Sequence, residues 1–178
     1  LLDGARVDLG EIHIQTAPVD VSALTREVVD MFGAARGRKV TVVVPAHPVV
    51  IQADSERLRG VLINYLENAD KYAPPPASIV VSLWAGSEAT EAAAAAAAAA
   101  PRAPVRISVR DGGPGIQPED QPRLFQRFFR APAVARRTQG LGLGLYLCRA
   151  IAAAHGGSVG VDSTPGAGAT FWIELPRL

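Results

Sequence analysis

Cysteine is all but missing. Cys148 is the only one, so no internal disulfide can form and a packed core has to hold the fold. A single thiol fits a reducing compartment. Charge of one sign is missing too: 18 basic against 17 acidic side chains leave a formal net charge of +1. That balance gives no polyanion-binding surface, and no nucleic-acid contact is expected. Long apolar runs are absent, so no stretch reads as a membrane span or a secretory leader. Metal-ligand patterns are lacking as well. His13 and His47 stand in or beside strands without Cys, Asp or Glu partners at ligand spacing. Lysine is nearly absent beside abundant arginine, and alanine is plentiful, which reads as compositional bias. What is present is 178 residues with 48% hydrophobic and 20% charged side chains, enough for one soluble domain with a sizeable core.

The pattern along the chain predicts an α+β domain with about three helices. Ile12 to Val19 alternates weakly, as a first strand would. Val21 to Ala35 places Leu24, Val28, Met31 and Phe32 at helical spacing, with Asp20 or Ser22 as the cap and Gly33 and Gly37 at the end. Val40 to Val44 and Val49 to Ala53 read as strands. Asp54 then caps a helix reaching Tyr72, whose apolar stripe is Leu58, Val61, Leu62, Tyr65, Leu66 and Ala69. Pro74 to Pro76 stop it. Ile79 to Trp84, Val105 to Val109, Ser158 to Asp162 and Ala169 to Leu175 complete the strands, and Leu141 to His155 the helices. The unbroken run Ala92 to Ala100 has no amphipathic face and reads as a surface insertion spanning residues 87–104. Cys148, Trp84 and Trp172 read as core or sheet-face residues. His155 suits the helix dipole.

Four stretches carry possible chemistry. Asn64, Asn68 and Lys71 fall within a sector of roughly 60° on one helix face, away from the apolar stripe. Amide oxygens can ligate a hard cation and an ammonium can hold a phosphate, with Glu67 nearby. A solvated polar face would show the same pattern. Asp111-Gly112-Gly113-Pro114-Gly115-Ile116 ends a strand on a carboxylate and enters a tight turn. The glycines permit close approach of a planar ligand, and the carboxylate can accept from an exocyclic amine. An ordinary turn would favour the same residues. Gly140-Leu141-Gly142-Leu143-Gly144-Leu145 opens a helix, where free N–H groups suit an anion, although close helix packing also calls for glycine. Thr164 to Thr170 is a glycine-rich hairpin. Residues 112–140 form a long, basic loop holding Phe125, Phe128 and Phe129, of the kind that acts as a lid.

Taken in order, these stretches resemble the N, G1, F, G2 and G3 boxes of bacterial sensor histidine kinases. The boxes are Asn64-x-x-x-Asn68-Ala-x-Lys71-Tyr72, Asp111-x-Gly113-x-Gly115-Ile116, Leu124-Phe125-x-x-Phe128-x-Arg130, Gly140-x-Gly142-Leu143-Gly144-Leu145 and Gly166-x-Gly168-x-Thr170-Phe171. The likeness runs from about Glu11 to the end. It implies a two-layer sandwich of Bergerat type, a mixed sheet on three helices with a flexible ATP lid at 112–140. It also implies ATP and Mg²⁺ as cofactors. Asn68 matches the Mg²⁺ ligand, Asn64 the first asparagine of its box, and Lys71 and Arg130 phosphate contacts; these four carry the catalytic expectation. Tyr72, Gly113, Gly115, Ile116 and Thr170 match positions around the base, and Asp111 the residue that reads the adenine amine. Gly140, Leu141, Gly142, Leu143 and Gly144 match the lid hinge and phosphate cradle.

The same resemblance implies transfer of the γ-phosphoryl group to a histidine on a separate dimerisation domain, in a homodimeric two-component kinase with a response regulator downstream. Neither His13, His47 nor His155 has the setting of that phosphoacceptor. Residues 1–10 read as the remnant of the upstream dimerisation domain and 11–178 as the catalytic domain. The implied location is cytoplasmic, in a parent that the bacterial inner membrane can anchor. An ATPase of the same fold, or an anti-sigma-factor-like kinase or binding module, is the alternative. Related ATPases tend to carry a glutamate base where Asn64 stands.

Overall fold

A computed structural model describes residues 12–86, 103–132 and 141–177 of the chain. The expected remnant helix at 1–10, the polyalanine run, Arg136, Arg137 and Gly140 lie outside the described residues. The elements follow as β1 (Ala17–Asp20), α1 (Val21–Arg36), β2 (Val40–Val43), β3 (Val50–Ala53), α2 (Ser55–Tyr72), β4 (Ile79–Trp84), β5 (Val105–Asp111), α3 (Gly144–Ala154), β6 (Ser158–Ser163) and β7 (Ala169–Leu175). A short 3-10 helix, Gln121–Arg123, precedes α3.

Five strands form one mixed sheet in the order β2-β4-β5-β7-β6. Only β2 and β4 run parallel; the other pairs are antiparallel. β1 and β3 pair separately as an antiparallel ribbon. The strict alternation of β5 and β7 puts Val105, Ile107 and Val109 beside Phe171, Ile173 and Leu175 on the buried face. The stripes of α1, α2 and α3 cover that face, giving the expected α+β sandwich. Val43 and Trp84 are exposed on the opposite face.

The caps explain where the helices start. Asp20, not Ser22, is the cap of α1: its carboxylate accepts from the N–H groups of Ser22 and Ala23, and also of Val49 at 3.2 Å. Asp54 caps α2 through Arg57 N–H and also accepts from Gln15 N–H at 2.9 Å. Two boundaries differ from the pattern reading. β1 begins at Ala17 and not at Ile12, because only 17–20 find a partner, in β3. α3 begins at Gly144 and not at Leu141, because Gly142 takes the left-handed conformation, with φ of 67°, which interrupts a helix. His155 contributes more than dipole compensation. Its Nδ1 lies 2.8 Å from Ile151 O, and its Nε2 accepts from Asp54 N–H at 2.9 Å. The ring therefore pins the end of α3 to the start of α2, and the tautomer with hydrogen on Nδ1 satisfies both bonds.

Candidate functional site

The apolar side of α2 fixes the direction of its polar side. Leu58, Val61, Leu62, Tyr65, Leu66 and Ala69 are all buried. Burial of each large side chain in that stripe contributes about 1.5–3 kcal/mol. Asn64 and Asn68 are left half-buried, and Lys71 exposed, on the remaining face. The Asn68 amide donates to Asn64 Oδ1 at 3.3 Å, which leaves the Asn68 Oδ1 as an acceptor directed away from that bond. Asn64 in turn faces the start of α3. A Cβ built on Gly144 would stand 2.1 Å from Asn64 Nδ2, so only glycine lets the helix start come this close.

Two turns further along α2 lies the first glycine turn. A Cβ on Gly113 would meet Tyr72 O at 2.9 Å, so this turn packs on the end of α2. Arg38 holds that helix end. Its Nη2 donates to Ala73 O and, at 2.9 Å, to Ala77 O, and its Nε stands 3.6 Å from Asp70. Lys71 Nζ lies over the Tyr72 ring, 5.3 Å from its centroid. From Asn64 to Tyr72 is about 12 Å along the helix axis, the scale of an extended nucleotide.

Asp111 is buried at the end of β5. Burial pushes its carboxyl above the usual carboxylate range, and hydrogen bonds from the N–H groups of Gly113 and Ala169 oppose that. The Gly113 bond is 2.8 Å long. Asp111 thus sits as a fixed acceptor in a dry place beside the glycine turn. Thr170 follows Ala169 on the neighbouring strand and pairs with Arg110, not Asp111.

The aromatic residues of the long loop divide their roles. Phe125 is buried and packs edge-on against Phe171 at 6.4 Å, which in turn lies 5.7 Å from the Tyr65 ring. Phe128 is exposed and holds φ of 63°, rare outside glycine. Its N–H donates to Gly142 O at 3.0 Å, and a Cβ on Gly142 would meet the Phe128 carbonyl carbon at 2.8 Å. The stretch after Phe125 is therefore attached to the glycines before α3. Leu141 is exposed, and Leu143 stands at the cap position of α3. Arg130 follows the Phe128–Phe129 pair and is half-buried, next to the buried Ala131.

Sequence reading missed Ser163 and Gln121. Ser163 Oγ accepts from Ile116 N–H and donates to Gly168 O; Gln121 Nε2 donates to Ile116 O and Ser163 O. Nothing in the sequence marks a lone serine at a strand end. Among the described residues, no cluster of three His, Cys, Asp or Glu side chains is placed to hold a metal ion. The acceptors that fit a hard cation are amide oxygens, Asn68 Oδ1 foremost, one turn along α2 from the contact between Asn64 and Gly144.

Comparison with known proteins adds an independent line. The profile of a family described as histidine kinase-, DNA gyrase B-, and HSP90-like ATPase matches residues 53–178. The chain is 32% identical over 180 residues to the sensor protein GacS of Pseudomonas syringae pv. syringae, covering 98% of this chain and 19% of GacS. It is 34% identical over 169 residues to the adaptive-response sensory kinase SasA of Synechocystis, covering 93% of this chain and 40% of SasA. The crystal structure of full-length ShkA in complex with AMPPNP superposes with a TM-score of 0.72 at 31% identity, over 94% of this chain and 32% of that one. The chain thus spans less than half the length of each of these relatives.

Proposed function

The chain belongs to the histidine kinase-, DNA gyrase B- and HSP90-like ATPase family, and from that membership we propose that it is the catalytic unit of a two-component sensor kinase, which binds Mg-ATP and hands the γ-phosphoryl group to a histidine on a separate domain. Its partners on this reading are a dimerisation domain carrying that histidine and, downstream, a response regulator. No helix among the described residues is long and apolar enough to cross a membrane.

One observation carries the reading. α2 presents Asn64 against the glycine start of α3, with Asn68 bonded to it one turn on, and touches the turn behind Asp111 two turns after Asn64. A nucleotide laid along that helix would have its base at Asp111 and its phosphates at the start of α3. Asp111 accepts from the adenine amine. The N–H groups at the α3 start, with the helix dipole behind them, favour the phosphates. Lys71 and Arg130 add positive charge. A Mg²⁺ ion bound with ATP neutralises charge on the phosphates, and Asn68 Oδ1 would hold it. Positioning and charge neutralisation are what phosphoryl transfer asks of a protein; the nucleophilic imidazole comes from outside.

The test is a calorimetric titration of the wild-type chain and Asn68→Ala with ATP, with Mg²⁺ and with chelator, beside thermal melting. The mutant should melt normally, since the position lies off the buried stripe. It should lose roughly tenfold in affinity when Mg²⁺ is present, much less with chelator, and transfer to an added dimerisation domain should collapse. Unchanged binding and transfer with Mg²⁺ present would remove Asn68 from the metal site.

A further inference from the structure

Ser163 ends β6 opposite Ala169. Its hydroxyl is used twice, as acceptor for Ile116 N–H at 2.9 Å and as donor to Gly168 O at 2.7 Å. Gln121 uses both hydrogens of its amide, on Ile116 O at 3.0 Å and Ser163 O at 2.9 Å. These partners come from three segments: the turn after β5, the start of the long loop, and the turn between β6 and β7. The two turns also touch directly. Gly166 N–H donates to Pro114 O at 2.7 Å, and a Cβ on Gly168 would stand 2.0 Å from Asp111 O.

The consequence reaches Asp111. Its carboxylate receives the Gly113 N–H, in the first turn, at 2.8 Å, while its backbone oxygen abuts Gly168, in the second. The direction of the carboxylate therefore depends on how the two turns are held together. Both turns are rich in glycine and proline and have few side chains to pack. Ser163 and Gln121 supply side-chain bonds between them where packing is sparse.

We propose that Ser163 and Gln121 are positioning residues for base recognition: they hold the two turns in the one relation that aims Asp111 at the base edge, and they tie the root of the long loop to the same point. Neither is assigned a contact with nucleotide. The inference rests on the reading of Asp111 as the acceptor for the adenine amine. Serine suits the task because a hydroxyl both donates and accepts, which alanine cannot do.

The experiment titrates the 178-residue chain with ATP and with GTP, and records melting, for wild type, Ser163→Ala, Ser163→Thr, Gln121→Leu and Asp111→Ala. Wild type should prefer ATP, and Asp111→Ala should lose that preference. Ser163→Ala should weaken ATP binding about tenfold while changing GTP binding little, so that the ratio moves toward that of Asp111→Ala. Ser163→Thr keeps the hydroxyl and should restore the ratio. Gln121→Leu should shift it in the same direction as Ser163→Ala, and it decides the matter if Ser163→Ala fails to fold. A lowered melting temperature with an intact ATP-to-GTP ratio would mean that the clamp only stabilises the fold, and the inference falls. Loss of preference in Asp111→Ala without loss in Ser163→Ala or Gln121→Leu overturns the clamp alone. An unchanged preference in Asp111→Ala overturns the base reading itself, and the clamp with it.

Discussion

Two aspartates show how the same side chain is put to opposite uses. Asp111 is buried, so its charged form is costly, and the Gly113 N–H holds it as an acceptor. Asp111→Asn keeps the shape but presents NH₂ or a weaker acceptor to the adenine amine. ATP affinity should fall by about 1–3 kcal/mol, the cost of a mismatched buried polar group. The melting temperature should hold or rise, because a buried charge is gone. Calorimetry beside melting checks both; unaltered ATP binding would take Asp111 out of the base site. Asp54 is the reverse case. Gln15 N–H, the largest cause, draws its carboxyl below the ordinary value of 3.8; burial, next in size, opposes it, and Arg57 N–H adds to the lowering. Its folded-state value is depressed, so its contribution is complete above 3.8 and disappears as pH falls through the lower folded value. Asp54→Ala should cost about 1 kcal/mol at neutral pH, as helix caps do. Denaturation curves should show the gap between mutant and wild type closing in acid as pH falls below 3.8. A gap constant across that range would mean that the carboxylate charge contributes nothing.

Helix α2 is the element on which the site depends, and its meeting with α3 is its tightest point. Gly144→Ala gains roughly 1 kcal/mol of helix propensity but drives a methyl into Asn64, 2.1 Å from its Nδ2. The cheapest relief is rotation of Asn64, which breaks its bond with Asn68. Stability should therefore change little, while Mg-ATP affinity drops roughly tenfold; isothermal titration and a melting curve separate the two, and normal affinity would show that the Asn64 position is not needed. The course of α2 was legible in the sequence because its stripe repeats at helical spacing and Asp54 and Pro74 bracket it. β4 and β7 were legible for the same kind of reason, a strong two-residue alternation between turn residues. Legibility ended where tertiary contact decides. β1 is four residues long because β3 is, and no local pattern announces a partner. The late start of α3 follows from the attachment of Gly142 to Phe128. The polar face of α2 could be drawn from the sequence, but not that Gly144 abuts it. Ser163 and Gln121 stayed hidden because their partners are backbone atoms, which every sequence has.

At the scale of the whole molecule, the proposed function makes the sheet and the helices a cradle for the phosphoryl donor and calls for an acceptor on another domain. A phosphoacceptor imidazole needs an accessible ring nitrogen and a neighbouring acid that takes its proton. His155 lacks the first: one ring nitrogen is bonded to Ile151 O and the other accepts from Asp54 N–H, so attack on phosphorus would cost α3 its anchor on α2. His13 and His47 are exposed, but they lie in the segment before β1 and in the connection between β2 and β3, and no described contact joins either ring to the Asn64, Asn68 and Asp111 face. Expected, then, is a chain that binds Mg-ATP and does not label itself. Incubated with γ-labelled ATP and run on an alkaline gel, it should stay unlabelled at every concentration, and label should appear only when a dimerisation domain bearing a phosphoacceptor histidine is added. The label should then sit on that domain and be stable to alkali but lost in acid, as expected of a phosphorus–nitrogen bond. Acid-labile label on His13, His47 or His155 in the chain alone would mean that the fold brings donor and acceptor together by itself, and the division of labour drawn here would be wrong.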